Sequence, residues 1–162
     1  MQTMSAVQLN PEEKQLYAYC LGLLKARDYS ENELKIKAKT KGYSNSAISV
    51  VLNWLKQQNL VSDRRLAENL LEYYKSNKGV VWLQQKMRQR QIPTEIIEQV
   101  LQNYSGQPDI SNLKQLLAKK YQISSWQNSN QIDPKTKRKI VNFLSNRGYP
   151  NPYNLLQQIF DN

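Results

Sequence analysis

The amino-acid sequence predicts an all-α protein built from three tandem three-helix repeats, each similar to a helix-turn-helix unit, in an elongated, curved array. Helix-capping residues repeatedly precede apolar residues with helical spacing, and the same apolar and basic pattern recurs along the chain. Only 5 Gly and 6 Pro occur in 162 residues, which is few for a loop-rich or all-β protein. Short repeats bury apolar surface mainly against their neighbours, so an extended array is expected.

The first repeat is predicted over residues 10–60. Its first helix begins after Asn10, a capping residue followed by proline and two acidic residues. A capping box over residues 30–33 opens the second helix, which should end near Gly42. Either Ser44 or Asn45 caps the third helix. The apolar face of that helix is predicted to contain Ile48, Val51, Leu52 and Leu55.

The second repeat is predicted over residues 61–104, because the pattern of the first recurs 49 residues later. Leu83 then corresponds to Leu34, and a helix is expected to begin at Ser62 or Asp63. The four apolar residues of the third helix are matched by Ile97, Val100, Leu101 and Tyr104. The basic residues Lys37, Lys39 and Lys41 are matched by Lys86, Arg88 and Arg90.

A third, more divergent repeat is predicted over residues 105–162, beginning with a linker. Ile140, Leu144 and Arg147 match Leu83, Met87 and Arg90, now 57 residues earlier. Asp133 and Asn151, each followed by proline, are the expected helix caps. Residues 124–132 are predicted to be a long polar loop, whose Trp126 either anchors the loop or is exposed for binding.

Basic residues are the strongest functional signal. The chain has 23 Lys and Arg against 13 Asp and Glu, a net charge of +10 that favours a polyanionic partner. Positions 41, 90 and 147, at the ends of the three middle helices, are all basic; the alternative explanation is a solvated face with cations near the helix C-terminus. The candidate binding residues are Lys35, Lys37, Lys39, Lys41, Arg64, Arg65, Lys86, Arg88, Arg90, Lys135, Lys137, Arg138, Lys139 and Arg147.

The composition gives no support for catalysis. The chain has no His, its single Cys20 fits the apolar face of the first helix, and its 5 Gly do not cluster into a phosphate-binding loop. We therefore predict no enzyme activity, no metal, no cofactor and no small-molecule substrate. The predicted third helices carry few side chains suited to base edges, which argues against sequence-specific DNA reading.

The chain has neither a signal-peptide pattern nor an apolar run long enough to span a membrane. A cytoplasmic monomer without a membrane partner is expected.

Three segments together resemble the RecX family. Residues 30–43, SENELKIKAKTKGY, are similar to the family pattern SExELRxKLxxKG followed by Phe or Tyr. Residues 60–67, LVSDRRLA, place Asp63, Arg65 and Ala67 on the Asp, Arg and Ala of a second family pattern. Residues 143–149, FLSNRGY, are similar to the end of the third repeat. The departures from the family's patterns are Ser62, Leu66, Glu72, Tyr74 and Val81.

The resemblance covers residues 11–160 and implies three-helix repeats that bind in the groove of the RecA–single-stranded DNA filament. It implies a regulator of DNA recombination, repair and the SOS response that inhibits the recombinase, ATPase and coprotease activities of RecA. Whether single-stranded DNA is touched directly is left open. The alternative function is nonspecific nucleic-acid binding by tandem helix-turn-helix-like units.

Overall fold

A computed structural model describes residues 9–126 and 132–161. Within these ranges the chain forms helices and connecting turns, without a strand, which confirms the predicted all-α class. The helices are α1 (Pro11–Ala26), α2 (Glu31–Thr40), α3 (Asn45–Gln57), α4 (Asp63–Tyr74), α5 (Val80–Gln89), α6 (Thr94–Leu101), α7 (Ile110–Tyr121), α8 (Pro134–Asn146) and α9 (Pro152–Asp161).

Side-chain caps explain where the first helices begin. The N–H of Glu13 donates to the Asn10 side chain (2.9 Å) and the N–H of Asn10 donates to the Glu13 carboxylate (2.8 Å), which closes a capping box before α1. Ser30 and Glu33 form the same reciprocal pair before α2. Of the two candidates before α3, Ser44 is the cap, because its Oγ accepts the N–H of Ala47.

The buried positions of the middle helices α2, α5 and α8 follow the predicted repeat. Leu34, Leu83 and Ile140 are equivalent in sequence, and all are fully buried. One helical turn later, the buried residues are Ala38, Met87 and Leu144. A side chain at each of these positions therefore belongs to the core, and the predicted all-α repeat array is confirmed.

The turn after each middle helix also repeats. Gly42, Gln91 and Gly148 occupy equivalent positions and all have a positive φ, of 91°, 56° and 81°. In the first and third repeats, the backbone then closes the helix end: the N–H of Tyr43 donates to the Ala38 carbonyl, and that of Tyr149 to the Leu144 carbonyl. Gln91 adopts this left-handed conformation without the steric freedom of glycine.

The chain packs into two compact units. The first contains the chain up to Ala67 and Arg88–Ile97; the second contains Glu68–Met87 and the chain from Glu98 onward. Each of α4, α5 and α6 is thus divided between the units. The units follow packing, whereas the predicted repeat limits 10–60, 61–104 and 105–162 follow the sequence pattern and stay a prediction.

Two single residues confirm or resolve sequence interpretations. Cys20 is buried in the core of the first unit, as predicted, and burial raises the pKa of its thiol to about 11. Trp126 packs beside the core of the second unit, with its ring centroid 5.6 Å from that of Phe160. Trp126 therefore anchors the described part of its loop; residues 127–131 of the loop lie outside the described residues.

Candidate polyanion-binding surface

Helix α2 and its C-cap carry four lysines, Lys37 and Lys41 on one flank of the buried Leu34–Ala38 stripe and Lys35 and Lys39 on the other. Lys35, Lys39 and Lys41 are exposed. Lys37 is half-buried, with its ammonium group 5.7 Å from the ring centroid of Tyr29. In the part of the chain that the structure describes, none of these four lysines pairs with a carboxylate. Their charges are therefore available to an external anion.

The equivalent helices α5 and α8 have no acidic residue along their length. On α5, Arg88 is exposed, whereas Lys86 is half-buried with its ammonium group 5.9 Å from the Trp82 ring centroid. On α8, the exposed cations are Lys135, Arg138 and Lys139, and Lys137 is half-buried. Each of these side chains on α5 and α8 is therefore at least partly accessible to solvent.

Arg90 is held inside the first unit rather than being free. Its Nε donates to the Glu33 carboxylate (2.9 Å), its Nη2 donates to the Asp28 carbonyl (2.6 Å), and the Arg90 and Glu33 side chains are only 18% and 13% exposed. Burial acts to raise the pKa of Glu33, but hydrogen bonds from Arg90 and from the Ser30 N–H outweigh it and hold that pKa below its ordinary value. Arg90 thus joins its own repeat to the preceding one.

Arg147 makes the equivalent contact in the second unit. Its Nη1 donates to the Asn77 carbonyl (2.7 Å), and Asn77 follows Asp28 by the repeat length of 49 residues. The Arg147 guanidinium also lies 4.5 Å from the Phe143 ring centroid. The recurring basic position 41, 90 and 147 therefore reflects packing in the second and third repeats, whereas Lys41 is exposed in the first.

The candidates at the start of α4 differ in exposure. Arg64 is exposed, but Arg65 donates from its guanidinium to the carbonyls of Asn59 (2.9 Å) and Leu60 (3.4 Å), which stabilises the end of α3. Asp63 accepts the N–H of Glu31 (2.8 Å) and so connects the starts of α4 and α2. Burial chiefly raises the pKa of Asp63. Asp63 and Arg65, which the sequence resemblance emphasised, thus make structural contacts.

The sequence interpretation missed two cations that the fold places beside aromatic rings. The Lys78 ammonium group lies 4.6 Å from the Trp82 ring centroid, and the Lys120 ammonium group 5.4 Å from that of Phe143. Neither lysine lies on a middle helix, and the recurring basic positions of the repeat predicted binding residues on those helices. For Lys120 the available signal was the composition of α7, which has three lysines and no acidic residue; Lys78 lies outside α7.

Residues 9–126 and 132–161 bring together no group of three or more Cys, Asp or Glu side chains that could hold a metal ion. None of their helices combines the length and apolar character needed to cross a membrane.

Similarity to known proteins extends over most of the chain. Residues 17–55 match the first three-helix domain of RecX, and residues 62–101 match the second. The protein named Regulatory protein RecX in Haemophilus influenzae (strain PittEE) is 32% identical over 135 residues, which are 82% of this chain and 86% of the relative. Its namesake in Trichlorobacter lovleyi is 28% identical over 148 residues, which are 90% and 93% of the two chains.

Solved structures support the same fold. A crystal structure of RecX from Lactobacillus salivarius superposes with a TM-score of 0.72 at 21% identity, covering 93% of this chain and 95% of the other. A second, titled as the crystal structure of regulatory protein RecX, gives a TM-score of 0.73 at 20% identity and covers 93% and 74%. With its repeat array, its family matches and its relatives taken together, this chain belongs to the RecX family of regulatory proteins.

Proposed function

We propose that this protein is a cytoplasmic, non-enzymatic regulator that binds the RecA–single-stranded DNA filament and inhibits the recombinase, ATPase and coprotease activities of RecA. It would act in DNA recombination, repair and the SOS response. The observation that carries the proposal is the run of unpaired lysines on α2, in a chain of the RecX family with a net charge of +10. A filament of protein and DNA is a long polyanion, and such a surface complements it.

The proposed mechanism is binding, in which exposed cations replace counterions at the filament. Release of those counterions makes affinity fall as salt concentration rises, with a slope close to one per phosphate contacted. If acidic residues of RecA supply the anionic surface instead, the salt dependence is shallower. The salt slope therefore distinguishes contact with DNA from contact with RecA alone.

The exposed lysines Lys35 and Lys39 of α2 are the best test of the proposal, because no carboxylate pairs with them within the described residues. Arg90 and Arg147 are unsuitable, since their loss would disturb packing. The double variant Lys35→Glu with Lys39→Glu reverses two exposed charges four residues apart on one helix. Like charges facing a polyanion repel, so the concentration that half-inhibits RecA's ATPase on single-stranded DNA should rise by about tenfold or more.

The matched control is Lys14→Glu with Lys25→Glu, which makes the same change of net charge on exposed positions of α1. It should inhibit nearly as well as the wild-type protein, and both variants should retain full helicity by circular dichroism. Equal losses of inhibition in the two variants would mean that net charge, and not the position of the lysines on α2, determines inhibition. A folded α2 variant with wild-type inhibition would remove α2 from the interface.

Nonspecific nucleic-acid binding is the second candidate, since the same exposed lysines could neutralise DNA phosphates without RecA. The two functions predict different stoichiometry. A regulator of the filament inhibits RecA's ATPase at amounts well below one molecule per RecA protomer. A plain DNA-binding protein competes for the strand and therefore inhibits only when it covers the DNA.

A further inference from the structure

The second compact unit carries a surface on which aromatic rings and cationic side chains lie next to one another. It combines contributions from α4, the turn before α5, α5 itself, α7 and the end of α8. We call this surface the cation–aromatic row; its members are Tyr73, Tyr74, Trp82, Lys78, Arg147, Phe143 and Lys120.

One end of the row is a group of three aromatic rings, of which Tyr73 is exposed. Tyr73 is 75% exposed, although it is a large aromatic residue. Its ring lies edge-on to Tyr74 at a centroid distance of 4.7 Å, and the Tyr74 ring lies 4.7 Å from that of Trp82. The Lys78 ammonium group lies 4.6 Å from the Trp82 ring centroid. Tyr73 is therefore the most exposed of three rings in contact with one another, and the Lys78 cation lies beside the innermost ring, Trp82.

The other end is a cationic groove of about 470 Å³. Phe143 lines it and contacts two cations, since the Arg147 guanidinium is 4.5 Å from its ring centroid and the Lys120 ammonium group is 5.4 Å away. Leu116 and Lys119 complete the lining, so the groove offers three positive charges and no carboxylate. Such a groove fits an anion that also presents an apolar surface.

Structural contacts hold the middle of the row in place. The Tyr104 hydroxyl lies within hydrogen-bond distance of the carbonyls of Lys75 (3.1 Å) and Lys78 (3.2 Å), and Arg147 donates to the Asn77 carbonyl between them. The Arg147 bond to the carbonyl of Asn77 brings its guanidinium close to the next residue, Lys78. Burial, and then the charge of Arg147, lowers the pKa of Lys78. The closeness of two positive charges favours an anion beside them.

We propose that the cation–aromatic row binds single-stranded nucleic acid, with an unpaired base stacked on Tyr73 and phosphates held by Lys78, Arg147 and Lys120. A single strand presents phosphates and flat base faces together, and stacking on aromatic rings with cations along the backbone is how proteins bind it without sequence preference. A duplex presents the phosphates but hides the base faces. This site goes beyond regulation of the filament because it requires no RecA, and it differs from the second candidate function because it uses aromatic rings of the second unit rather than the lysines of α2.

Binding is tested by fluorescence anisotropy without RecA, using labelled dT20, a 20-base-pair duplex and a 20-mer of abasic sites. We expect the wild-type protein to bind dT20 more tightly than either other probe. Tyr73→Ala should weaken dT20 binding about tenfold, the effect typical of one lost stacking contact, and leave the abasic probe unchanged. Tyr73→Phe keeps the ring and should bind as the wild-type protein does.

Two matched controls isolate the site. Tyr153 is a tyrosine of similar exposure, 72%, on α9, so Tyr153→Ala should leave dT20 binding unchanged. Lys120→Gln should weaken dT20 binding and reduce the salt slope of binding by about one. Lys25→Gln, at an exposed position of α1, is its charge control and should change neither the affinity nor the slope.

Wild-type affinity for dT20 in a folded Tyr73→Ala protein would overturn the proposal, as would equal affinity of the wild-type protein for dT20 and the abasic probe. An rU20 arm separates the two natural sources: equal binding assigns the site to single strands in general, and weaker binding assigns it to DNA. Inhibition of RecA is measured separately, so loss of dT20 binding with inhibition retained, or the reverse, distinguishes this proposal from the proposed function.

Discussion

Two contacts at equivalent places in the repeats use different chemistry. In the first unit, Arg90 reaches the Glu33 carboxylate and the Asp28 carbonyl, and the Asn32 side-chain amide donates to the Gln91 carbonyl (3.2 Å). These contacts involve side chains. The first unit thus joins successive middle helices with a charge pair and an amide.

In the second unit the backbones themselves meet. The N–H of Gly79 donates to the Arg147 carbonyl (2.8 Å), and that of Val81 donates to the Gly148 carbonyl (3.2 Å). A Cβ added at Gly79 would overlap the Gly148 backbone, and one added at Gly148 would overlap Trp82. Both units keep the bond from an arginine to a backbone carbonyl. The comparison teaches that the same repeat template can add to it either a charge pair with an amide, or a close backbone approach at a glycine pair.

The largest effect should come from removing the close approach in the second unit. Gly148→Ala combines a strained positive φ with overlap at Trp82, and we expect it to lower the free energy of unfolding by at least about 3 kcal/mol. Gly42→Ala is the matched control, because Gly42 also has a positive φ but open space around it, and should cost only about 1–2 kcal/mol. Equal losses of unfolding free energy in urea denaturation would mean that the close backbone approach at Gly148 contributes nothing to stability.

Loss of the charge pair in the first unit should have the next largest effect. Arg90→Met removes hydrogen bonds to a carboxylate and a carbonyl at a largely buried site, and should cost about 2–3 kcal/mol. Arg88→Met, two residues earlier and exposed, should change stability by less than about 0.5 kcal/mol. Denaturant unfolding of both variants checks this, and similar small values would show that Arg90 is not a structural residue.

Acid should weaken the first unit through Glu33. Because the folded-state pKa of Glu33 is depressed, its stabilisation is present above the ordinary carboxyl pKa and is lost as pH falls through the folded value. Glu33→Gln, which keeps the helix cap, should therefore cost about 1–2 kcal/mol at pH 7 and progressively less below roughly pH 4. A difference from wild type that is constant with pH would contradict this assignment.

The smallest effect is expected at Lys41, the equivalent position in the first repeat. Lys41 is exposed, and its ammonium group lies 5.6 Å from the Tyr19 ring centroid. Lys41→Met should change the free energy of unfolding by less than about 0.5 kcal/mol. A thermal unfolding series of the Met variants at positions 41, 90 and 147 tests whether a basic residue matters only where a preceding repeat accepts its hydrogen bond.

Much of the fold could be predicted from the sequence because caps and apolar spacing are local signals. The recurrence of Leu34 as Leu83 and Ile140 identified core positions directly. The candidate site was harder, because a basic residue in sequence does not reveal its partner. Arg90 and Lys41 look alike in the repeat pattern, and only the three-dimensional position of Glu33, 57 residues before Arg90, separates them.

The row around Phe143 could not be predicted for a related reason. Lys120 and Arg147 are far apart in sequence and meet on one ring only after α7 and α8 have packed. Helical spacing within each segment contains no information about that meeting. Tyr73 was likewise not singled out, because an exposed tyrosine on a helix gives no sign in the sequence of the rings packed beside it.

Arg90 contacts residues that precede it in the chain, and this order has a consequence for biosynthesis. Glu33 leaves the ribosome 57 residues before Arg90, a delay of about 3–11 s at ordinary rates of translation. During that interval its carboxylate has an earlier partner, because Arg27 precedes it in the chain and pairs with it at 3.2 Å in the folded protein. The nascent first repeat can thus complete its own cap and charge pair before the second repeat exists, and Arg90 then docks onto a preformed acceptor.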